Sequence, residues 1–126
     1  MSKAERIEEL QKLLREDSAN IQLRRELAVL LLDTGFPQEA MMHLVYLTKS
    51  IKNDSGIYYN LGIAYEKLKK FNEAKEAYEK AVELSPEELD ATYNLGLVLT
   101  ELREYERAIE CFEKVLKADN RDSNSF

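Results

Sequence analysis

Apolar residues return every three or four positions along most of this chain. Tyr58, Leu61, Gly62 and Tyr65 stand at i, i+3, i+4 and i+7, and Ala74, Tyr78 and Ala81 keep that periodicity in the following segment. A helix turns once every 3.6 residues, so each set shares one face, and that face is predicted to pack inward. Ile7, Leu10, Leu13 and Leu14 form a comparable stripe near the start. Punctuation sets the limits: Gly35 suits a left-handed stop, Pro37 a first helical turn, Asn72 a cap, and Pro86 a position just past a helix end. The pattern predicts helices near 3–16, 20–34, 37–50, 55–69, 72–85, 89–102 and 105–118. Small residues at Gly62 and Ala74 predict a close antiparallel approach.

The same signals recur at a spacing of 34 residues: Gly62 to Gly96, Ala40 to Ala74 to Ala108, and Asn60 to Asn94. Such a period divides the chain into repeats at 21–54, 55–88 and 89–122, each a helical hairpin that buries its apolar face by stacking on its neighbours. Residues 1–20 resemble only the second half of a repeat and are expected to cover the N-terminal edge. After Asp122 the register restarts, placing Phe126 on the equivalent of Tyr58 and Thr92. Residues 123–126 therefore read as the start of a truncated fourth repeat, and the chain as a fragment of a longer array.

The clearest unit runs Tyr58-Tyr59-Asn60-Leu61-Gly62-Ile63-Ala64-Tyr65, then Phe71, Ala74, Tyr78, Ala81 and Pro86. It resembles the tetratricopeptide repeat, with Tyr58 in place of the usual Trp. In the third unit Leu95, Gly96, Tyr105, Ala108 and Phe112 fit, while Thr92, Leu99 and Asn120 depart. The first is the weakest, carried by Leu27, Ala28, Leu31, Gly35, Ala40 and Leu44. The resemblance implies an all-α, right-handed α-solenoid of antiparallel helical hairpins: three repeats plus an N-terminal helix.

Composition narrows the function. Apolar residues make up 44% and charged residues 33%, a balance that supports a packed core under a charged surface. The net charge is −6, with cations interleaved among acids instead of gathered in a basic run, so nucleic acid is not an expected partner. Acidity grows toward the C-terminus, which favours a basic partner there. No apolar run approaches the roughly 20 residues that cross a bilayer, so no membrane contact is expected of this segment. The lone Cys111 excludes an internal disulfide and fits a reducing compartment, with the cytoplasm as the default.

Converging catalytic groups are missing. The one histidine, His43, and Cys111 stand two repeats apart in register with Ala77 between them. At about 10 Å per stacked hairpin their side chains lie roughly 20 Å apart, too far to share a metal ion. No enzyme activity, cofactor or metal is expected.

A different face holds the candidate site. Opposite the packing face of the first helix in each hairpin, the repeat shift aligns Arg25, Tyr59 and Tyr93; Glu26, Asn60 and Asn94; Val29, Ile63 and Leu97; and Leu32, Glu66 and Thr100. Curvature puts these rows on the concave side. Arg25, Val29, Tyr59, Asn60, Ile63, Tyr93, Asn94 and Leu97 are the candidate groove residues: tyrosines and aliphatics to bury partner side chains, amides to pair with its backbone. The resemblance implies that Asn60 and Asn94 hold an extended peptide. It does not extend to the carboxylate clamp that holds the tails of heat-shock chaperones. Arg25 and Asn60 match that clamp, but Val29, Asp90 and Asn94 depart, and Asp90 would repel a carboxylate. A protein-interaction scaffold is the leading expectation. The alternatives are a self-assembling array segment, through Ile109, Phe112, Val115 and Leu116 in a weak homodimer at the C-terminal end, and a regulatory domain of a larger protein.

Overall fold

The computed structural model describes residues 1–123 and contains α1 (Lys3–Glu16), α2 (Ile21–Asp33), α3 (Pro37–Ser50), α4 (Ser55–Lys67), α5 (Phe71–Leu84), α6 (Leu89–Glu101) and α7 (Tyr105–Ser123). Among the described residues there is no strand. Each helix packs on the next in sequence, and α2 also touches α4, which makes an all-α solenoid of hairpins α2–α3, α4–α5 and α6–α7 with α1 on α2. Six of the seven helices end within two residues of the predicted positions. The exception, α7, runs on to Ser123 instead of stopping near 118. Pro86 lies two residues beyond α5, and its register equivalent is Asn120, which cannot break a helix as proline does. Residues 124–126, including the Phe126 expected to open a fourth repeat, lie outside the described residues.

Local chemistry explains most helix ends. Side-chain oxygens of Ser2, Asn20 and Asp54 accept from backbone N–H groups of Glu5, Leu23, and Gly56 with Ile57, capping α1, α2 and α4. Pro37 opens α3 with its φ already helical. Asn72 is not a cap: α5 begins one residue earlier at Phe71, after Lys70, without a side-chain cap bond. The stops of α2, α4 and α6 share one geometry. Phe36 donates to Leu31 and Gly35 to Leu32; Lys70 to Tyr65 and Lys69 to Glu66; Glu104 to Leu99 and Arg103 to Thr100. These are Schellman turns, each needing a left-handed residue, and the occupants are Gly35 (φ 90°), Lys69 (φ 62°) and Arg103 (φ 64°).

Within a hairpin the closest approach is set by Gly62 and Gly96. A Cβ added at Gly62 would lie 2.5 Å from Cε1 of Tyr78, and one at Gly96 would lie 2.7 Å from Cε1 of Phe112. The small residue thus makes room for an aromatic ring; Ala74, predicted as the partner of Gly62, is buried on α5 beside that ring. In the first hairpin the same two positions hold Ala28 and Leu44, both buried: a larger residue facing a smaller one. One core cluster runs from Leu10 and Leu14 of α1 through Leu27, Leu31, Leu44 and Leu47 to Ile57 and Leu61. A second joins Ala74 and Tyr78 to Leu95, Val98, Leu99, Ala108 and Cys111.

Candidate functional site

Within the candidate rows, Val29, Tyr93 and Leu97 are 41%, 46% and 38% exposed, large apolar surface that the fold leaves in solvent. Tyr59, Asn60, Ile63, Asn94 and Arg25 are half-buried beside them. Tyr59 meets Tyr78 at 6.1 Å between ring centroids, and Tyr93 meets Phe112 edge-on at 5.7 Å. Each tyrosine therefore rests on the aromatic ring that fills the glycine notch of its own hairpin, which fixes its direction.

The two asparagines differ. Asn94 Nδ2 donates a long 3.4 Å bond to the Tyr59 hydroxyl, bridging the second and third hairpins. The Asn60 amide makes no hydrogen bond among the described residues, so its donors and acceptor remain free. Burial holds the Tyr59 phenol above its ordinary pKa, and the nearby charges of Asp90 and Glu66 push the same way, against the Asn94 bond. Tyr78 donates to Glu66 Oε1 at 2.8 Å, and its phenol is also raised, first by burial.

Arg25 is engaged. Its Nη1 lies 2.6 Å from Asp54 Oδ2, and the same carboxylate caps α4, so one acid ties α2 to the next hairpin. The Arg25 guanidinium is the largest influence holding Asp54 below the usual carboxylate range. Glu26 is held by two bonds from Arg6 of α1, at 2.7 and 2.8 Å. Leu32, aligned above with Glu66 and Thr100, does not line the groove: it is buried in the first core cluster, where an aliphatic side chain gains cover that its polar equivalents do not need. Thr100 donates to the Gly96 carbonyl of its own helix.

At the C-terminal end Ile109 and Leu116 are exposed, while Val115 is half-buried and Phe112 packs on Tyr93 over Gly96. The apolar patch expected there therefore centres on Ile109 and Leu116. In α5 their register equivalents are Lys75, which pairs with Glu104 of the following hairpin, and the partly buried Val82.

His43 and Cys111 do not meet. His43 Nδ1 lies 3.0 Å from Arg24 Nη1. Because a guanidinium only donates, Nδ1 accepts and the ring is neutral with its proton on Nε2. Burial, then the Arg24 charge, lowers its pKa. Cys111 is buried in the second core cluster, and burial pushes its thiol up. Among the described residues no group of three or more His, Cys, Asp or Glu side chains converges to hold a metal, and no helix is long and apolar enough to cross a membrane.

One surface escaped the sequence reading. A hollow of about 400 Å³ on the first hairpin is lined by Arg24, Glu39, Met42, His43 and Tyr46, with Met42 and Tyr46 exposed. The signal lies in the register: the equivalents of Met42 and Tyr46 are Glu76 and Lys80, then Glu110 and Lys114. Apolar residues replace charges on one hairpin only.

The tetratricopeptide repeat model matches residues 56–88 and 90–122, together more than half of the chain. The chain belongs to the tetratricopeptide repeat family. As such it is a protein-interaction scaffold module, of a family and fold that are typically non-enzymatic. A crystal structure of MamA is 30% identical with a TM-score of 0.85, over 88% of this chain and 65% of that one. A MamA 41-end structure from Desulfovibrio magneticus RS-1 is 26% identical with a TM-score of 0.89, over 94% and 67%. A further MamA structure, AMB-1, at 20% identity and a TM-score of 0.85 over 90% and 62%, shows the fold alone. This tetratricopeptide chain thus spans 62% to 67% of the length of these MamA chains. Among curated proteins no sequence matches.

Proposed function

We propose that the module holds an extended peptide or protein segment in the concave groove of α2, α4 and α6. The observation that carries this reading is the exposed apolar strip of Val29, Tyr93 and Leu97 beside the unbonded Asn60 amide. The strip supplies area for partner side chains, Asn60 a donor and an acceptor for a partner backbone, and Tyr59 and Ile63 the half-buried floor. Asn94 contributes while bracing Tyr59. Arg25, bound to Asp54, shapes the wall and is not a free anchor for a carboxylate tail. The lone buried thiol fits a reducing compartment such as the cytoplasm.

The test is fluorescence anisotropy with labelled synthetic decapeptides carrying alternate Leu and Phe, measured on wild type, Asn60→Ala with Asn94→Ala, and Leu97→Asp. The paired asparagine change is expected to weaken binding by about 1–3 kcal/mol, the value of exposed amides bonding to a ligand. Melting should stay within a few degrees for Asn60→Ala alone. Binding that survives Leu97→Asp and the paired change would place the contact outside the groove.

A second reading, self-association through the C-terminal end, is favoured by the exposure of Ile109 and Leu116, whose equivalents in α5 lie against the next hairpin. It describes a weak homodimer instead of an obligate one, because two side chains remove little area.

A further inference from the structure

The charges around the groove specify its ligand more closely. On the α2 side three cations near the rows each have a carboxylate: Arg25 with Asp54 at 2.6 Å, Arg6 with Glu26 at 2.7 Å, and Lys3 with Asp33 at 3.7 Å. The second and third hairpins differ. Asp90 is exposed in the first turn of α6 and makes no ion pair among the described residues. Glu66, near the end of α4, accepts only the Tyr78 hydroxyl and likewise has no cation within ion-pair distance among the described residues. Glu101 is exposed at the end of α6, and the exposed cations Lys67, Lys69, Lys70 and Arg103 all lie at or just past the C-terminal ends of α4 and α6. Tyr59 and Ile63 lie between Glu66 and Asp90 in the repeat register.

We infer that the groove between α4 and α6 selects a basic extended segment, in which Lys or Arg side chains flank an apolar residue seated on Tyr59, Ile63, Tyr93 and Leu97. The inference rests on the groove reading above and adds the charge of the ligand. Two acids without counter-ions attract cations and repel an acidic chain, and their half-buried or groove-edge setting weakens screening. The influence of both carboxylates on the Tyr59 phenol places their fields on the groove floor. Spacing follows from register. Asp90 aligns with Gly56, ten residues before Glu66, so the two acids are about 15 Å apart along the helix axes at 1.5 Å per residue. With about 10 Å between stacked hairpins added at right angles, the acids stand roughly 18 Å apart, which an extended chain covers in about five to six residues at 3.3 Å each.

The experiment uses three labelled decapeptides with a central Leu-Ser-Phe and, at two positions about five residues apart, Lys, Ser or Glu. Anisotropy is read on wild type, on Asp90→Asn with Glu66→Gln, on Asp90→Lys and on Leu97→Asp. Glutamine at position 66 keeps an acceptor for Tyr78. The Lys peptide is expected to bind wild type about ten-fold or more tightly than the Glu peptide, with its affinity falling about three-fold between 50 and 300 mM salt. The double variant should erase the preference, and Asp90→Lys should reverse it. Equal binding of all three peptides, abolished by Leu97→Asp, would overturn the charge preference and leave the groove reading intact. A preference that survives the double variant would also overturn it. No binding by any of the three would remove both.

Discussion

Adding a single methyl group at Gly62 pits two opposing effects against each other. Alanine favours a helix interior over glycine by about 1 kcal/mol, so on propensity alone Gly62→Ala stabilises the protein. The new Cβ, however, would lie 2.5, 2.6 and 2.8 Å from Cε1, Cδ1 and Cζ of Tyr78. That ring cannot swing aside: it is fully buried, its hydroxyl is bonded to Glu66, and Tyr59 rests against it. Overpacking of this kind costs about 1–3 kcal/mol, and three ring atoms inside 3 Å argue for the upper end. The expected net loss is about 1–2 kcal/mol, read as a lower urea midpoint at unchanged slope. Gly96→Ala should cost less, because its clash is with Phe112, which is only partly buried, whereas Tyr78 is fully buried. The first hairpin, with Ala28 and Leu44, suggests the control. In a Tyr78→Leu background Gly62→Ala should lose most of its penalty, giving a coupling of about 1 kcal/mol or more in a double-mutant cycle. A stabilised Gly62→Ala single variant, or a coupling near zero, would refute the ring-in-notch account of hairpin packing.

Three further outcomes follow from the geometry. Lys69→Gly and Arg103→Gly relieve left-handed backbone at residues with a Cβ and should each raise stability by roughly 0.5–1 kcal/mol in urea unfolding, whereas Gly35→Ala should lower it. His43 has its folded pKa held below the ordinary 6.5 by burial and the Arg24 charge, against a smaller upward pull from Glu39, so the unfolded chain takes the proton more readily. Its neutral form supports the fold fully above that pH, and stability should fall as pH drops through it; urea midpoints at pH 7.5 and 5.0 should differ less for His43→Gln than for wild type. Sedimentation from micromolar to hundreds of micromolar should show weak association that Ile109→Glu with Leu116→Glu removes, and a wild-type monomer throughout would end the self-association reading.

Most of the architecture was legible because apolar spacing and the 34-residue register agree across the three repeats, with end markers such as Gly35, Pro37 and Pro86 at some helices. What was misread had a local cause. Asn72 is a strong capping type, but Phe71 already belongs to the helix and packs against the second core cluster, and burial outweighed capping preference. The stops at Lys69 and Arg103 carry no glycine to announce them, since the hydrogen bonds of the turn hold the residue left-handed despite its Cβ. Leu32 was placed by register alone, which takes no account of what an apolar side chain can reach. In the candidate site, the repeat shift brought the Tyr, Asn and aliphatic rows together. It could not show that Arg25 is bound to Asp54 or that Asn94 leans on Tyr59, because those partners are 29 and 35 residues apart and do not align at a multiple of the repeat.

The notch and its ring also bear on how such a chain can change over time. Gly62 with Tyr78, Gly96 with Phe112, and Ala28 with Leu44 are three solutions to one steric problem, each held within a single hairpin. A point change that alters one member must pass through a clash or a void before the other member answers it. Duplicating or exchanging a whole hairpin carries both members at once and avoids that barrier. The unit of inheritance favoured by this packing is therefore the hairpin, and the surface residues it carries, whether the apolar Met42 and Tyr46 or their charged equivalents, can be reshuffled between arrays without reopening the core.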